Sequence, residues 1–299
     1  ELKNVFDIQM KLLKETYVNG LIGTLKHMFY DKDIMEKLDN QNHLLGFDDG
    51  VYDLCENVFR EGRPEDYITM STKIKLLKHV EEKEKDNILR SSVSLDSLIN
   101  IVSSTTPNYD AYARDMEQFI TQILPNEDVR NYIYRWISKC LSGDNRDEGF
   151  YMWTGTGGNG KSKLTDLSQN CLGDYSCNLP VSLLTQKRKA SNSAAPEMVR
   201  TKGVRLVVMQ EPDVSETLNI GQMKELTGND KIQARGLFKE PIEFNPQFKM
   251  LLMCNDLPLI PGNDDGTWRR LEVVPFGSRF VEGSEVDESK HRYKIDKEL

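Results

Sequence analysis

Phe150-Tyr151-Met152-Trp153-Thr154-Gly155-Thr156-Gly157-Gly158-Asn159-Gly160-Lys161-Ser162 is a short apolar run that empties into a glycine-rich loop, and it decides the fold. Gly155 to Ser162 satisfy G-x-x-x-x-G-K-[ST] at every fixed position. Glycines let successive backbone N–H groups turn inward, and a helix starting near Lys161 adds its positive end, so such a loop cradles phosphates. Lys161 is expected to reach the β- and γ-phosphates of a nucleotide and Ser162 to ligate Mg²⁺. Gly155, Thr156, Gly157, Gly158, Asn159 and Gly160 supply the backbone around them. Leu164, Leu167 and Cys171 continue at helical spacing, so strand, loop and helix arrive in the order that the motif requires.

Three further apolar runs follow: Val204–Met209, Met250–Cys254 and Leu271–Val274. Short apolar runs separated by helical segments are the pattern of buried parallel strands, which predicts an α/β fold built on a parallel sheet. A phosphate loop alone only binds. Hydrolysis also needs an acid for metal and water, a sensor of the γ-phosphate and a positive charge for the transition state. Glu211 follows the second run, at a strand's carboxyl end, where ligands collect in open α/β sheets. It is expected to orient the attacking water and to serve the metal. Asn255 follows the third run and can hold the water against the γ-phosphate. Arg269 and Arg270 stand just before the fourth. An arginine inserted into a neighbouring subunit's site is worth roughly 10³–10⁵ in rate, and the alternative for each is an ordinary salt bridge.

Between the second and third runs, Ile232-Gln233-Ala234-Arg235 and Ile242-Glu243-Phe244 read as hairpin arms with Gly236 at or near the turn. Leu237, Phe238 and Lys239 then fall near a tip. Lys224 to Lys249 carries five basic and four acidic residues, against a net −8 for the chain. A protruding Phe-Lys pair beside Arg235 suits an element that follows a nucleic-acid strand, with a cation for phosphate and a ring for stacking. The alternative is a plain structural hairpin.

The first half has a different texture. Apolar positions at helical spacing over 5–30 predict one or two helices, and Leu44 to Leu54 reads as two short apolar runs around an Asp-Gly turn. The charged run Glu81–Asp86 reads as a solvated loop or helix face. Two more helices are expected over 109–124 and 129–141, with Pro125 ending the first, Asn126 capping the second and Gly143 stopping it.

The chain's 299 residues leave room for two domains, and 38% apolar with 29% charged residues places it in the ordinary globular class. Glu1 in place of methionine and a charged, motif-free end at Leu299 lead us to expect a segment cut from a longer protein. No apolar run approaches the ~20 residues of a membrane span, so no membrane partner is expected. Five cysteines without a CxxC pair and four scattered histidines lack zinc-ligand spacing, and the odd thiol number fits a reducing compartment. The acidic balance argues against a surface that coats DNA along its length, but not against a small basic site in a channel.

With these pieces in order the chain resembles superfamily 3 helicases, and among them the poxvirus-type primase-helicases of large cytoplasmic DNA viruses and phages. The matching stretches are Trp153 to Lys163, Gln210-Glu211-Pro212, Lys224 to Arg235, Glu243 to Asn255 and Gly266 to Arg270. Pro180 to Arg188 and Ala195-Pro196-Glu197 resemble the family's linker, and Leu45 to Leu54 with Gly62 to Thr69 resemble the helical domain preceding such motors. The resemblance implies a mostly helical N-terminal collar or oligomerisation domain with a small β element over 1–143. It further implies an AAA+ core over 144–282 and a truncated charged tail over 283–299. It implies a hexameric ring that hydrolyses Mg-ATP at subunit interfaces and travels 3′-to-5′ on a DNA strand held in the pore. Lys161 and Ser162 then serve phosphate and metal, Glu211 catalysis, Asn255 sensing, Arg269 or Arg270 the finger, and the Phe238-Lys239 region the pore hairpin. One departure is Gln210, where many members carry a second acid, which leaves metal coordination to Ser162 and the phosphates. A primase domain often lies upstream in the family, and the expected location is the host cytoplasm, at a viral replication site or in a phage-infected cell.

Two other classes stand beside this reading. One is a P-loop ATPase that remodels protein or pumps duplex DNA without unwinding it; stimulation of turnover by single-stranded DNA separates the two. The other is a module using ATP only to assemble, against which Glu211 and Asn255 speak together.

Overall fold

The computed structural model describes residues 2–186, 195–210, 216–262 and 264–296. The chain forms two compact units, Glu1–Lys37 and Leu38–Leu299. In the first, the apolar spacing over 5–30 resolves into two helices, α1 (Leu2–Leu12) and α2 (Glu15–Met28), followed by the single turn α3 (Ile34–Lys37). Lys14 separates the two long helices with an extended backbone, φ −96° and ψ 116°.

The second unit opens on an antiparallel hairpin, β1 (Leu44–Phe47) and β2 (Gly50–Asp53), with Phe47 facing Gly50. The turn is therefore Asp48-Asp49, one residue earlier than the expected Asp-Gly. Gly50 is the first strand residue, and its missing side chain makes room for the Phe59 ring, which a Cβ would meet at 2.5 Å. β3 (Val58–Arg60) and, after helix α4 (Glu82–Ser91), β4 (Val93–Ser94) complete a four-stranded sheet in sequential order. The charged run is thus the first turn of α4. Helices α5 (Leu95–Thr105), α6 (Tyr109–Ile123) and α7 (Glu127–Lys139) follow. Asn126 caps α7 as expected, accepting from the Asp128 and Val129 amides at 2.9 and 3.2 Å. Gly143 does not stop α7, which ends at Lys139. A Cβ there would fall 1.6 Å from the Arg205 guanidinium, so the glycine provides clearance for an arginine.

The remaining elements are β5 (Phe150–Thr154), α8 (Lys161–Leu172), β6 (Ser176–Asn178), α9 (Ser182–Thr185), α10 (Pro196–Val199), β7 (Leu206–Gln210) and α11 (Ile220–Thr227). After them come β8 (Ile232–Arg235), β9 (Pro241–Phe244), β10 (Lys249–Met253), α12 (Asp265–Trp268), β11 (Leu271–Pro275), β12 (Arg279–Val281) and β13 (Arg292–Lys294). Five strands form a parallel sheet in the order β11-β5-β10-β7-β6. The fold is α/β, as the apolar runs predict. All five β10 residues and the first four of β5 and β7 are buried, which is why these strands read as unbroken apolar runs. Polar β6 gave no such signal; its place at the sheet edge is set by pairing with β7.

The α6–α7 pair packs Phe119, Ile120, Ile123, Ile133 and Trp136 into one buried cluster with Tyr151 and Trp153 of β5. The boundary expected at 143 therefore falls inside the second unit. Two buried cations strengthen this join. Arg205, before β7, donates to the carbonyls of Gln41 and Leu44 at 3.2 Å and to the Gln247 side chain. Lys249, heading β10, donates to the carbonyls of Ser142 at 2.8 Å and of Asp144. The stretch expected as a charged tail is also structured: β13 pairs in parallel with β12, and the Ile295 amide donates to Val281 O at 3.1 Å.

Candidate functional site

β5 and β10 are neighbours, yet the chain leaves β5 for β6 at one edge and leaves β10 for β11 at the other. Exits in opposite directions open a crevice at the carboxyl ends of the strands, the usual ligand position in such sheets. A cleft of about 320 Å³ lies there, between the glycine loop and Gln210, Cys254 and Asn255. The structure thus brings the loop residues Gly157 to Ser162 together with the ends of β7 and β10. Glu211, which follows Gln210, lies outside the described residues, as do Lys187 and Arg188 of the linker stretch.

The loop's path depends on its glycines. Gly155, Gly158 and Gly160 have φ of 137°, 73° and 84°, where a side chain is strained. At Gly160 a Cβ would also come 2.6 Å from the Ile123 side chain of α6. Asn159 is buried, and its side chain braces the loop from within, reaching Phe276 O at 3.4 Å and accepting from the Lys161 amide at 3.3 Å. Lys161, only 7% exposed, donates to Gly155 O at 2.5 Å. Burial lowers its pKa, and no carboxylate among the described residues pairs with it. A buried ammonium is unfavourable unless an anion balances it, and among the described residues no carboxylate does so, which suits the cleft to an anionic ligand. Ser162 is exposed beside it in the same cleft.

Arg269 and Arg270 lie elsewhere. β11 pairs with β5 in the register Leu271 to Phe150, so both arginines stand at the entry end of the sheet and the glycine loop at its exit. Five residues at about 3.3 Å each put roughly 15 Å between the two ends. Both guanidinium groups bond Glu148, at 2.6 and 2.5 Å. Arg270 is buried and also donates to Gly266 O, so the salt-bridge alternative describes it. The Arg269 side chain is 64% exposed and stands at the end of the sheet opposite the glycine-loop cleft.

The hairpin arms are β8 and β9, paired from Ile232–Phe244 to Arg235–Pro241. Ile232 and Ala234 face inward while Gln233 and Arg235 face out. At the tip Lys239 N donates to Gly236 O at 3.2 Å, and Arg235 Nε closes back on Lys239 O at 3.1 Å. Phe238 is 97% exposed and holds φ at 56°, a strained value for a bulky side chain. Backbone strain of this kind recurs at ligand clamps and switch regions. One set of potential metal ligands also appears: His43, Asp53 and Cys55 atoms lie within 4.8 Å of one another. Asp53 already accepts from the Cys55 and Glu56 amides and faces Arg60 at 3.9 Å, the bonding of a structural turn.

Comparison with known proteins bears on this arrangement. Residues 1–125 match a family described as "D5 N terminal like", and residues 153–270 match a family of unknown function, DUF5906. A protein of Acanthamoeba polyphaga mimivirus, provisionally named a helicase, is 40% identical over 283 residues, or 95% of this chain and 27% of that protein. A Frog virus 3 protein, also provisionally named a helicase, is 30% identical over 88% of this chain and 31% of its own length. An African swine fever virus protein provisionally named a primase is 25% identical over 93% of this chain and 26% of its own length. The chain belongs to a primase-helicase family of large DNA viruses. It spans about a quarter to a third of the length of these viral relatives. Among solved structures, the apo C-terminal region of NrS-1 aligns with a TM-score of 0.43 at 13% identity, over 58% of this chain and 40% of that one.

Proposed function

We propose that this chain is the ATP-hydrolysing motor of a viral DNA helicase, working as a ring in which the nucleotide is completed by a neighbouring copy. The observation that carries the reading is the buried Lys161 ammonium, held by a glycine cradle and facing Gln210 and Asn255 across one cleft. The donor set fits a triphosphate with Mg²⁺: a glycine-rich backbone lining the cleft, one point charge and one hydroxyl. Bound Mg-ATP supplies the phosphoryl bond whose cleavage drives the motor. Lys161 balances charge on the β- and γ-oxygens, Ser162 offers its hydroxyl to the metal, and Asn255 positions water in line. Glu211 is the general base of this reading. Arg269, exposed at the opposite end of the sheet, reaches a nucleotide only in another subunit. A hexamer encircling one DNA strand, 3′-to-5′ travel, and a place at a cytoplasmic replication site complete the proposal.

The test is turnover of ATP by the wild-type chain and by Lys161→Ala, each with and without single-stranded DNA, beside a thermal melt. The wild type should hydrolyse ATP faster with DNA present, and the folded variant should lose turnover by orders of magnitude. Near-normal turnover in a folded Lys161→Ala chain would sink the nucleotide assignment. Turnover indifferent to DNA would favour a motor that acts on protein or on duplex DNA.

A further inference from the structure

The open end of the β1–β2 hairpin gathers three side chains that the nucleotide cleft does not use. His43 stands just before β1, Asp53 ends β2 and Cys55 follows shortly after. The backbone brings them together: Leu44 pairs with Asp53, and the Leu54 amide donates to His43 O at 2.9 Å. A ring nitrogen of His43, a carboxylate oxygen of Asp53 and Cys55 Sγ lie within 4.8 Å of one another. Around one tetrahedral ion, with bonds of about 2.0–2.3 Å, such atoms stand about 3.5 Å apart, so closing on an ion takes roughly an ångström of side-chain movement. Spacing along the chain hides this set, because the ligands meet only across the hairpin.

The local charge suits a cation. Asp53 is buried, and its Oδ1 holds the turn by accepting from the Cys55 and Glu56 amides at 3.0 and 3.2 Å. Its Oδ2 lies 3.9 Å from Arg60 Nη2, beyond hydrogen-bond distance. Arg60 is already balanced by Asp66, which accepts from both of its terminal nitrogens at 2.8 Å. Oδ2 can therefore turn to a closer cation. Cys55 is exposed and His43 half-buried, so an ion can enter from solvent and keep a water in its fourth position. One imidazole, one carboxylate and one thiolate make a donor set for Zn²⁺ and not for Mg²⁺, which takes oxygen ligands.

We propose that His43, Asp53 and Cys55 bind one Zn²⁺, the Cys55 proton leaving to solvent, and that the ion fastens the seam between the four-stranded sheet and the parallel sheet. That seam runs through the residues beside His43. The Gln41 and Leu44 carbonyls accept from Arg205, and Asn42 O accepts from the Gly143 amide at 2.7 Å. A tie from His43 to the end of β2 holds this stretch against both partners. The site is independent of the nucleotide cleft and its Mg²⁺. To test it, the chain is stripped with chelator, returned to buffer with excess Mg²⁺, and titrated with Co²⁺ as a coloured stand-in for Zn²⁺. Wild type should bind one Co²⁺ with the intense ultraviolet band of a cobalt–thiolate bond, and Zn²⁺ should displace it. The band should persist in Cys171→Ser, which removes another exposed thiol, and vanish in Cys55→Ser. His43→Ala should weaken Co²⁺ binding by more than the roughly 10–100-fold typical of losing an outer partner of a metal site. Zn²⁺ should raise the melting temperature of stripped wild type and leave that of Cys55→Ser unchanged. Asp53 is kept, since its Oδ1 also holds the turn. No thiolate band in wild type, a band that survives Cys55→Ser, or full Co²⁺ affinity in His43→Ala would overturn the site. Binding without a rise in melting temperature would overturn the fastening role. Should His43→Ala fail to fold in its metal-free melt, the exposed Cys55→Ser decides.

Discussion

Lys161 and Lys249 are both lysines with less than a tenth of their surface exposed, and they meet the cost of burial differently. Lys161 faces a cleft that an anion can enter. Lys249 faces two backbone carbonyls and no open space, and burial, helped by nearby Arg205, pushes its pKa down to about 8. The unfolded chain holds that proton up to about pH 10.5, so between pH 8 and 10.5 it binds more protons than the folded chain. Stability from this group therefore rises with pH across that window, by up to about 1.4 kcal/mol per pH unit, and is flat below pH 8. Comparing wild type with Lys249→Met isolates the effect from other titrating groups. The stability difference, wild type minus variant, should grow in favour of wild type from pH 7.5 to pH 10. A difference independent of pH would mean that Lys249 keeps an ordinary pKa. Lys161 was legible because its motif fixes its neighbours. Lys249 and Arg205 were not, because each sits at the head of an apolar run and reads there as a strand end. Gly143 leaves the space for Arg205, and the carbonyls of Ser142 and Asp144 on either side of that glycine hold Lys249, partners that spacing along the chain does not reveal.

At the scale of elements, the proposed step from ATPase to helicase rests on the β8–β9 hairpin. Its tip offers an exposed ring at Phe238 and a cation at Lys239, with the inward residues Ile232 and Ala234 anchoring the arms. Replacing both tip residues with alanine should abolish unwinding and the DNA stimulation of turnover, while DNA-free ATPase stays near wild type. One lost phosphate contact should also lower the salt slope of DNA binding by about one unit, and one lost stack should cost about 1–3 kcal/mol. A double variant that unwinds normally would put the strand grip elsewhere. The hairpin and helices α6 and α7 could be read from the sequence because each buries a periodic apolar face, and β5, β7 and β10 because they bury unbroken apolar runs. β11 could be read from its run too, although only Val274 of it is buried. β6, β12 and β13 could not. They are three-residue strands whose existence depends on partners rather than on their own pattern: Ser176 to Asn178 on β7, and Arg292 to Lys294 on Arg279 to Val281.

For the whole molecule, the proposed motor would have its active centre in two halves, one at each end of the sheet. The cleft lies at the exit ends of the strands and Arg269 at the entry end, roughly 15 Å apart along five residues. A ring is the arrangement that brings such ends together between copies. Mixing Arg269→Ala with Lys161→Ala should therefore restore part of the activity that each lacks, because some mixed interfaces pair an intact cleft with an intact arginine. No recovery at any ratio, in assemblies shown to exchange subunits, would mean that Arg269 acts within its own chain or not at all. Arg270 gives the control. Bound to Glu148 and Gly266 in its own chain, its loss should lower the melting temperature and should not be complemented in trans.

The chain's three tryptophans stand at points that this scheme sets in motion. Trp136 and Trp153 are buried with ring centroids 5.2 Å apart, and Trp153 lies two residues before the glycine loop. Phe276, 5.1 Å from the Trp153 ring, carries the carbonyl that Asn159 holds, so a shift of the loop changes the surroundings of the indole directly. Trp268 is half exposed and precedes Arg269. On the proposed reading the molecule should have two separate light sources: the shielded Trp136–Trp153 pair beside the glycine-loop cleft, expected to emit to the blue, and Trp268, expected to emit to the red and to be open to iodide. Nucleotide should alter the first without salt or dilution, and assembly should protect the second from quenching. Filling and ring closure can then be timed independently in unlabelled protein.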